Sequence, residues 1–256
     1  MAENKTKKED LFSKLNSKQG FSLGIGAAIL IVLVFLAFLA LDGKNISISK
    51  NADQNSPDTT TTSAQGAQPN VDISQVDTKG EPFIGNVNAP VTMAYWFDYQ
   101  CPYCKKFETE TLPDLINKYV NTGKLKVVFK DFQFLGPDSQ TAGAAAEAVW
   151  ELYPTKFMDW QTAMFNAQGE ENSGYDSKDN IIKLTKTIPG IDADKVSALM
   201  DQKKTAIQAE LDGDKTEGTN LGINSTPAFI VGKQLISGAE PASSFEQAID
   251  GELKNK

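Results

Sequence analysis

One long apolar run stands out near the beginning of the chain. No charged residue occurs between Gln19 and Leu41, and the second half of the run is almost wholly aliphatic or Phe. About 23 residues at 1.5 Å each form a helix of roughly 34 Å, which is long enough to cross the hydrocarbon core of a bilayer. The pattern therefore predicts a single transmembrane helix over 21–41. A cleaved signal peptide is the alternative, which the length of the run disfavours.

The charges on either side of this run predict its orientation. Five lysines and three acidic residues lie in 1–20, and Asp42 follows the run directly. Because basic residues concentrate on the cytoplasmic side of a membrane, we expect 1–20 to be a cytoplasmic tail and the rest of the chain to lie outside. The whole chain has a net charge of −8 and the tail +2, so the remainder carries −10. An acidic outer domain argues against nucleic acid as a partner.

A polar segment separates this predicted anchor from the rest of the chain. Residues 42–80 are rich in Asn, Asp, Ser, Thr, Gln and Gly and contain few large apolar side chains. Such a segment buries too little apolar surface to offset the entropy of ordering, which predicts a disordered linker. We therefore place the folded domain at 81–253.

Strand and helix patterns alternate at the start of this domain. Residues 91–97 are β-branched and aromatic, which predicts a buried strand. A helical pattern follows over 102–120, with a kink expected at Pro113. Residues 125–132 give the next strand pattern. A β–α–β order of this kind predicts two parallel strands joined by a right-handed crossover.

The pattern then turns helical before strands return. An all-helical insertion is predicted over 137–221, with helices at 139–152, 156–166, 179–188, 192–200 and 203–221. A hairpin follows at 227–238, with its turn at Gly232. Residues 243–253 repeat apolar side chains at four-residue steps, which predicts a closing amphipathic helix. The domain is therefore expected to be of the α/β class.

The candidate chemistry lies where the first strand pattern gives way to the helical one. Cys101, Pro102, Tyr103 and Cys104 hold the only 2 cysteines of the chain. At a helix N-terminus, free N–H groups and the helix dipole favour a thiolate, so we expect the pKa of Cys101 to fall. Pro102 suits the first turn because its missing N–H has no partner there. Cys104, one turn later, can close a disulfide with Cys101 or resolve a mixed disulfide.

Three stretches of the chain resemble the DsbA-like thiol–disulfide oxidoreductases, in particular their membrane-anchored branch. They are the approach to the cysteines over 88–104, the segment 131–137 and the segment 226–232. The resemblance covers about 81–253. It implies a thioredoxin fold in which the helical block is an insertion.

The resemblance also implies a second part of the site. In that family a proline with a cis peptide bond lies against the cysteine pair, and here it would be Pro227 after Thr226. The backbone of Thr226 would then pair with an extended client segment. From the residues alone, a trans proline that starts a strand is the expectation.

Proton transfer is where this chain departs from the family pattern. Relatives bury a Glu six residues before the first cysteine, and this chain has Tyr95 there. Asp98, Glu108 and Lys130 are the candidate replacements, although each taken singly is better explained as a solvated surface charge. Because the chain has 0 His, Tyr103 takes the place of the imidazole that stabilises the thiolate in strongly oxidising relatives. We therefore expect a weaker oxidant.

Three functions are consistent with these residues. Disulfides persist outside the membrane, which favours an oxidase that acts on free thiols of exported client proteins and is reoxidised by a membrane redox partner. The Cys-Pro-Tyr-Cys pattern is also that of glutaredoxins, so a reductase or isomerase supplied with electrons across the membrane is the alternative. A metal carrier or chaperone is the third, disfavoured because the chain offers neither His nor further Cys. We expect no cofactor and no bound metal.

Overall fold

The domain is built on a five-stranded sheet with the strand order β1-β3-β2-β4-β5. The structure, a computed structural model, describes residues 71–255. The strands are β1 (Phe83–Ile84), β2 (Val91–Phe97), β3 (Leu125–Asp131), β4 (Ala228–Val231) and β5 (Gln234–Ser237). The predicted tail at 1–20, the predicted span at 21–41 and the linker as far as residue 70 lie outside the described residues. Between residues 71 and 255, no helix has both the length and the apolar character needed to cross a bilayer.

The central strand β2 pairs with neighbours of both orientations. It runs parallel to β3, with Val91 opposite Leu125, and antiparallel to β4, with Tyr95 opposite Phe229. The parallel pairing confirms the predicted β–α–β unit. The hairpin of β4 and β5 is also confirmed, and its turn contains Gly232, whose φ of 58° suits a residue without a side chain.

The predicted helical insertion is present between β3 and β4. Its helices begin or end within three residues of the predicted positions, and they are α3 (Pro137–Leu152), α4 (Phe157–Asn166), α5 (Lys178–Thr185), α6 (Ala193–Gln202) and α7 (Lys204–Asn220). Asp192 caps α6 by accepting hydrogen bonds from the N–H groups of Asp194 and Lys195. The closing helix is α8 (Ala242–Lys254).

The helix that follows β2 is not a uniform α-helix. It consists of α1 (Pro102–Lys106), a π-helical segment (Phe107–Thr111), α2 (Leu112–Leu115) and a second π-helical segment (Ile116–Val120). Pro113 has no N–H to donate, and its ring crowds the preceding turn of a regular helix. The irregularity expected at this proline therefore takes the form of wider helical turns on both sides of it.

The first described residues correct the predicted boundary between linker and domain. Val71 and Val76 are buried, and Ile73 donates its N–H to the carbonyl of Gly232 at 2.7 Å. Residues 71–80, which we expected to end the disordered linker, therefore pack on the domain. The average composition of a polar segment hides its few apolar side chains, yet Val71 and Val76 join a buried cluster with Trp96 and Ile230.

Strand β1 was also missed. It has only 2 residues, and it pairs antiparallel with β3 through Phe83 and Val128. Two residues are too few to display the alternation by which a strand is recognised in a sequence.

The sheet separates two apolar cores, because successive side chains of a strand point to opposite faces. Tyr95 and Phe97 of β2 lie in the larger core together with both cysteines. Ala94 and Trp96 lie in the smaller core on the other face. We call the first face the cysteine face of the sheet.

Candidate active site

The two cysteines lie at the N-terminal end of α1, as predicted. Cys101 is the N-cap residue, and Pro102 lies in the first turn. The N–H of Cys101 donates to the carbonyl of Asp98 at 3.1 Å, and its own carbonyl accepts from the N–H of Lys105 at 3.1 Å. Cys101 is 5% exposed and Cys104 is 0% exposed. Only the first sulfur is therefore accessible to a partner.

The surroundings of Cys101 favour its thiolate form. The interaction with the Cys104 thiol is the largest influence and lowers the pKa of Cys101, whereas burial opposes this effect. The Thr226 side chain and the N–H groups of Cys104 and Tyr103 also favour the thiolate, and the net result is a pKa of about 6 for Cys101. The direction agrees with the prediction made from the helix N-terminus.

Cys104 has the opposite character. Burial, followed by the interaction with Cys101, raises the pKa of the Cys104 thiol well above its usual range. The N–H of Asp98 and the side chain of Thr226 act against this rise. Near neutral pH the reduced pair is therefore one thiolate beside one buried thiol, which is the arrangement that thiol–disulfide exchange requires.

The residues before β4 complete the site. The Thr226–Pro227 peptide bond is cis, as the resemblance implies. The Cys101 thiol donates to the carbonyl of Thr226 at 3.4 Å, and the buried Thr226 hydroxyl has no hydrogen-bond partner within residues 71–255. Tyr103 is 64% exposed, so its ring lies at the surface next to the accessible sulfur.

Asp98 is fully buried and holds the loop between β2 and α1. This burial differs from the solvated charge that was the simplest expectation. Its carboxylate accepts hydrogen bonds from the N–H groups of Gln100, Phe134 and Leu135 and from the hydroxyl of Ser139 at 2.7–3.2 Å. Asp98 therefore ties the residues that precede Cys101 to the segment that leads into α3.

The helical insertion also contacts the cysteine loop, and this contact was not predicted. The amide nitrogen of Gln168 donates to the carbonyls of Tyr99 at 2.7 Å and Cys101 at 3.0 Å. The hydroxyl of Tyr175 donates to the carbonyl of Tyr99 at 2.9 Å. Both side chains come from the polar loop between α4 and α5, whose composition resembles that of any surface loop. Only the tertiary structure identifies them as part of the site.

Tyr95 and Glu108 lie on the cysteine face. The buried ring of Tyr95 stacks on Phe229 with centroids 4.7 Å apart. Its hydroxyl has no hydrogen-bond partner among the described residues. Burial, followed by the nearby Cys104 and Glu108, raises the pKa of Tyr95 well above its usual range. Glu108 is 8% exposed and accepts a hydrogen bond from the amide of Gln161 at 2.9 Å. Burial raises the pKa of Glu108 to about 8.

Lys130 belongs to the opposite face of the sheet. It is paired in register with Trp96, and its Nζ lies 2.8 Å from Glu81, 2.5 Å from Asp214 and 3.2 Å from Glu217. Burial opposes the charged form, but Asp214 and Glu81 outweigh it and raise the pKa of Lys130. This placement corrects the expectation of a charge beside the cysteines, because the alternation along β3 turns Lys130 away from them.

Comparison with known proteins identifies the family and the fold of the chain. The family model described as Thioredoxin matches residues 77–251. Disulfide bond formation protein D of Bacillus subtilis (strain 168) is 29% identical over 182 residues, which are 71% of this chain and 81% of that protein. The probable disulfide bond formation protein D of Bacillus anthracis is 27% identical over 173 residues, which are 67% of this chain and 77% of that protein.

Solved structures of related proteins have the same fold. Oxidised BdbD from Bacillus subtilis has a TM-score of 0.64 and 26% identity, and the match covers 70% of this chain and 95% of BdbD. The thiol-disulfide exchange protein alpha-DsbA2 from Wolbachia pipientis has a TM-score of 0.60 and 28% identity, with 70% and 90% covered. These likenesses confirm a thioredoxin fold with a helical insertion. The chain belongs to the thioredoxin family and is a thiol–disulfide oxidoreductase similar to the DsbA-like proteins.

Proposed function

We propose that the chain introduces disulfide bonds into exported proteins, with Cys101 as the nucleophile and Cys104 as its partner. The observation that carries the proposal is the asymmetry of the pair. Cys101 reaches the surface with its pKa lowered to about 6, and Cys104 is fully buried beside it. A stabilised thiolate favours the reduced form of the pair, and this preference makes the disulfide form an oxidant of other thiols.

The proposed reaction begins with the Cys101–Cys104 disulfide. A client thiolate attacks the sulfur of Cys101, a mixed disulfide forms, and the bond to Cys104 breaks with Cys104 leaving as a thiolate. A second client thiolate then attacks the client sulfur of the mixed disulfide, and Cys101 leaves as a thiolate. The client has lost two electrons and the cysteine pair has gained them. A membrane redox partner would remove these electrons and restore the disulfide.

The residues around the pair support binding of an extended client segment. The carbonyl of Thr226 lies 3.4 Å from the Cys101 sulfur, so a strand paired with Thr226 would pass directly over that sulfur. Pro227 has no N–H and therefore does not compete for the backbone of the client. Pro102 shapes the first turn of α1, and the exposed ring of Tyr103 offers apolar surface beside the sulfur.

We further propose that the domain lies on the outer side of a cell membrane, anchored by a single span at 21–41 with 1–20 in the cytoplasm. The uncharged run and the lysines that precede it support this orientation. Two relatives carry names that refer to disulfide bond formation. An outer location supports an oxidase, because thiols in the cytoplasm are kept reduced.

The redox state of the pair in living cells tests the direction of electron flow. Cells are quenched with acid, free thiols are alkylated with a maleimide of known mass, and the chain is detected by its shift in mobility. An oxidase is mostly disulfide-bonded at steady state. The Cys104→Ser variant, which keeps one thiol and cannot form the pair, marks the position of the singly alkylated chain. Two free thiols at steady state contradict the oxidase.

The reductase or isomerase remains the alternative, because Cys-Pro-Tyr-Cys is also the glutaredoxin pattern. The equilibrium reduction potential of the pair separates the two directions, since an oxidase requires a higher potential than its clients. A metal carrier or chaperone is tested by metal analysis of the purified chain together with insulin reduction and thiol oxidation assays on Cys101→Ala. Bound metal that disappears in this variant, with no exchange activity in the unaltered chain, supports that third function.

A further inference from the structure

We infer that the hydroxyl of Tyr95 donates a hydrogen bond to the sulfur of Cys104 when that sulfur leaves as a thiolate. Tyr95 is then a catalytic residue of the exchange reaction, because it contacts a reacting atom. The inference rests on the proposed roles of the two cysteines, and it adds a group that those roles do not include.

The first observation is a buried hydroxyl without a partner. Tyr95 is 0% exposed, and its hydroxyl forms no hydrogen bond of normal geometry with the described residues. An unsatisfied buried hydroxyl destabilises the folded state, and such groups in proteins need a physical explanation. One explanation is that the hydroxyl acts as a donor only during the reaction, when a negative charge forms in the site.

The second observation is the packing that fixes the ring of Tyr95 in place. The ring of Tyr95 is stacked on Phe229 at 4.7 Å, and Phe107, three residues after Cys104, packs against it at 4.9 Å. The ring is therefore fixed between β4 and the helix that carries Cys104. Tyr95 and Cys104 belong to the same buried cluster, and the Cys104 thiol is among the groups that raise the pKa of Tyr95.

The third observation concerns the charge that the reaction creates. Cys104 is 0% exposed, so bulk water does not solvate a thiolate at this sulfur. Interactions with the backbone of Asp98 and with the side chain of Thr226 favour the charged form of this sulfur. The Tyr95 hydroxyl adds a third donor to this set. Donors held in place before the charge appears are the most effective way to stabilise it.

Two neighbouring groups are in the right protonation state for this role. Burial, followed by the nearby Cys104 and Glu108, raises the pKa of Tyr95 well above its usual range, so the hydroxyl keeps its proton. Burial raises the pKa of Glu108 to about 8, so this carboxyl is mostly neutral at pH 7 and does not repel the thiolate.

The step balances without any further reactant. An attacking thiolate forms a bond to the Cys101 sulfur, the Cys101–Cys104 bond breaks, and its electron pair leaves with Cys104. Tyr95 donates a hydrogen bond throughout and keeps its proton. The Cys104 thiolate then takes one proton from solvent, which matches the proton lost when the attacking thiol ionised. The position that holds a buried acid in relatives is thus filled by a donor that does not ionise.

The test measures reduction of the oxidised, detergent-solubilised full-length chain by excess dithiothreitol at pH 7. Samples are quenched with acid at intervals, and free thiols are counted after alkylation. Tyr95→Phe removes only the hydroxyl and keeps the ring, and we expect it to slow reduction about tenfold, as for a hydrogen bond to a charged group. Tyr119→Phe is the matched control, because it removes a tyrosine hydroxyl that binds Asp250 at 2.9 Å. The control should react at the unaltered rate.

A Tyr95→Phe rate within threefold of the unaltered chain, or an equal loss in Tyr119→Phe, overturns the inference. Circular dichroism shows whether the variants are folded. If Tyr95→Phe does not fold, 3-fluorotyrosine at position 95 keeps the shape of the ring and makes the hydroxyl a stronger donor. Faster reduction then supports the inference, and an unchanged or slower rate overturns it.

The same assay separates this inference from the proposed function. Reduction by dithiothreitol is independent of the direction of electron flow in cells, so a chain found fully reduced in cells removes the oxidase and leaves the role of Tyr95 intact. Exchange that survives in Cys101→Ser removes the proposed cysteine roles and the inference with them.

Discussion

The sulfur of Cys101 lies 3.4 Å from the carbonyl oxygen of Thr226, although 125 positions separate the two residues in the sequence. One belongs to the turn that starts α1, and the other to the segment that opens β4. Antiparallel pairing of β2 with β4 brings the two segments together. The reactivity of Cys101 therefore depends on sheet pairing as well as on its own helix.

Substitution of the second cysteine should trap clients. In Cys104→Ser the mixed disulfide formed at Cys101 has no internal thiol to resolve it, so adducts should accumulate and appear on non-reducing gels. They should disappear on reduction. Cys101→Ser is the control, and it should form none because the remaining sulfur is fully buried. Equal amounts of adduct from both variants contradict the assigned roles.

Alkylation of the reduced chain should follow the thiolate of Cys101. With the pKa of Cys101 lowered to about 6, the rate with iodoacetamide should rise about tenfold per pH unit below pH 6 and level off above it. Since the folded pKa lies below that of an unfolded thiol, the reduced protein should lose stability relative to the oxidised form as the pH falls from 9 to 6. A rate still rising between pH 7 and pH 9 contradicts this assignment.

Replacement of Glu108 should flatten the dependence of stability on pH. Its pKa rises from 4.5 to about 8 on folding, so between these values the folded chain keeps a proton that the unfolded chain has lost. Stability should therefore fall as the pH rises, by at most about 1.4 kcal/mol per unit from this group. Glu108→Gln should remove this contribution from urea unfolding curves measured at pH 5, 6.5 and 8. The same replacement at the part-exposed Glu246 is the control for exchanging a carboxyl group for an amide.

Removal of the Lys130 charge should affect stability without affecting exchange. Lys130→Met leaves three carboxylates around a buried site without their cation, and the free energy of unfolding should fall by about 3 kcal/mol. Lys118→Met, which breaks an exposed ion pair with Glu246, should change it far less, because solvent screens such a pair. Exchange activity per folded molecule should be equal in both variants, because Lys130 lies on the face away from the cysteines. A selective loss of activity in Lys130→Met would show that the two faces are coupled.

Most elements of the domain could be predicted because their patterns are local. The strand Val91–Phe97 was placed at its observed ends, and the cap at Asp192 was identified from its residue type. Strand β1 and the packed segment 71–80 were missed, since neither is long enough to repeat a pattern. Their stability comes from contacts with β3 and with Gly232, and no local pattern reports such contacts.

The features of the candidate site likewise fall into those that nearby residues predict and those that depend on distant segments. The position of Cys101 at a helix start follows from neighbouring residues, and so does the direction of its pKa shift. The contacts of Gln168 and Tyr175 with the cysteine loop do not, because they come from a loop of ordinary polar composition. The placement of Lys130 was misjudged because nearness in strand order says nothing about the face to which a side chain points.

By itself, then, the sequence determined the elements of this domain, the redox pair and the helix end that activates it. Each of these depends on residues within a few positions of one another. The tertiary structure alone decided which cysteine is accessible, that Glu108 is buried, and that the unpartnered hydroxyl of Tyr95 lies in the same buried cluster as Cys104. Burial and contact across the sheet depend on how distant segments pack, and no local pattern encodes that packing.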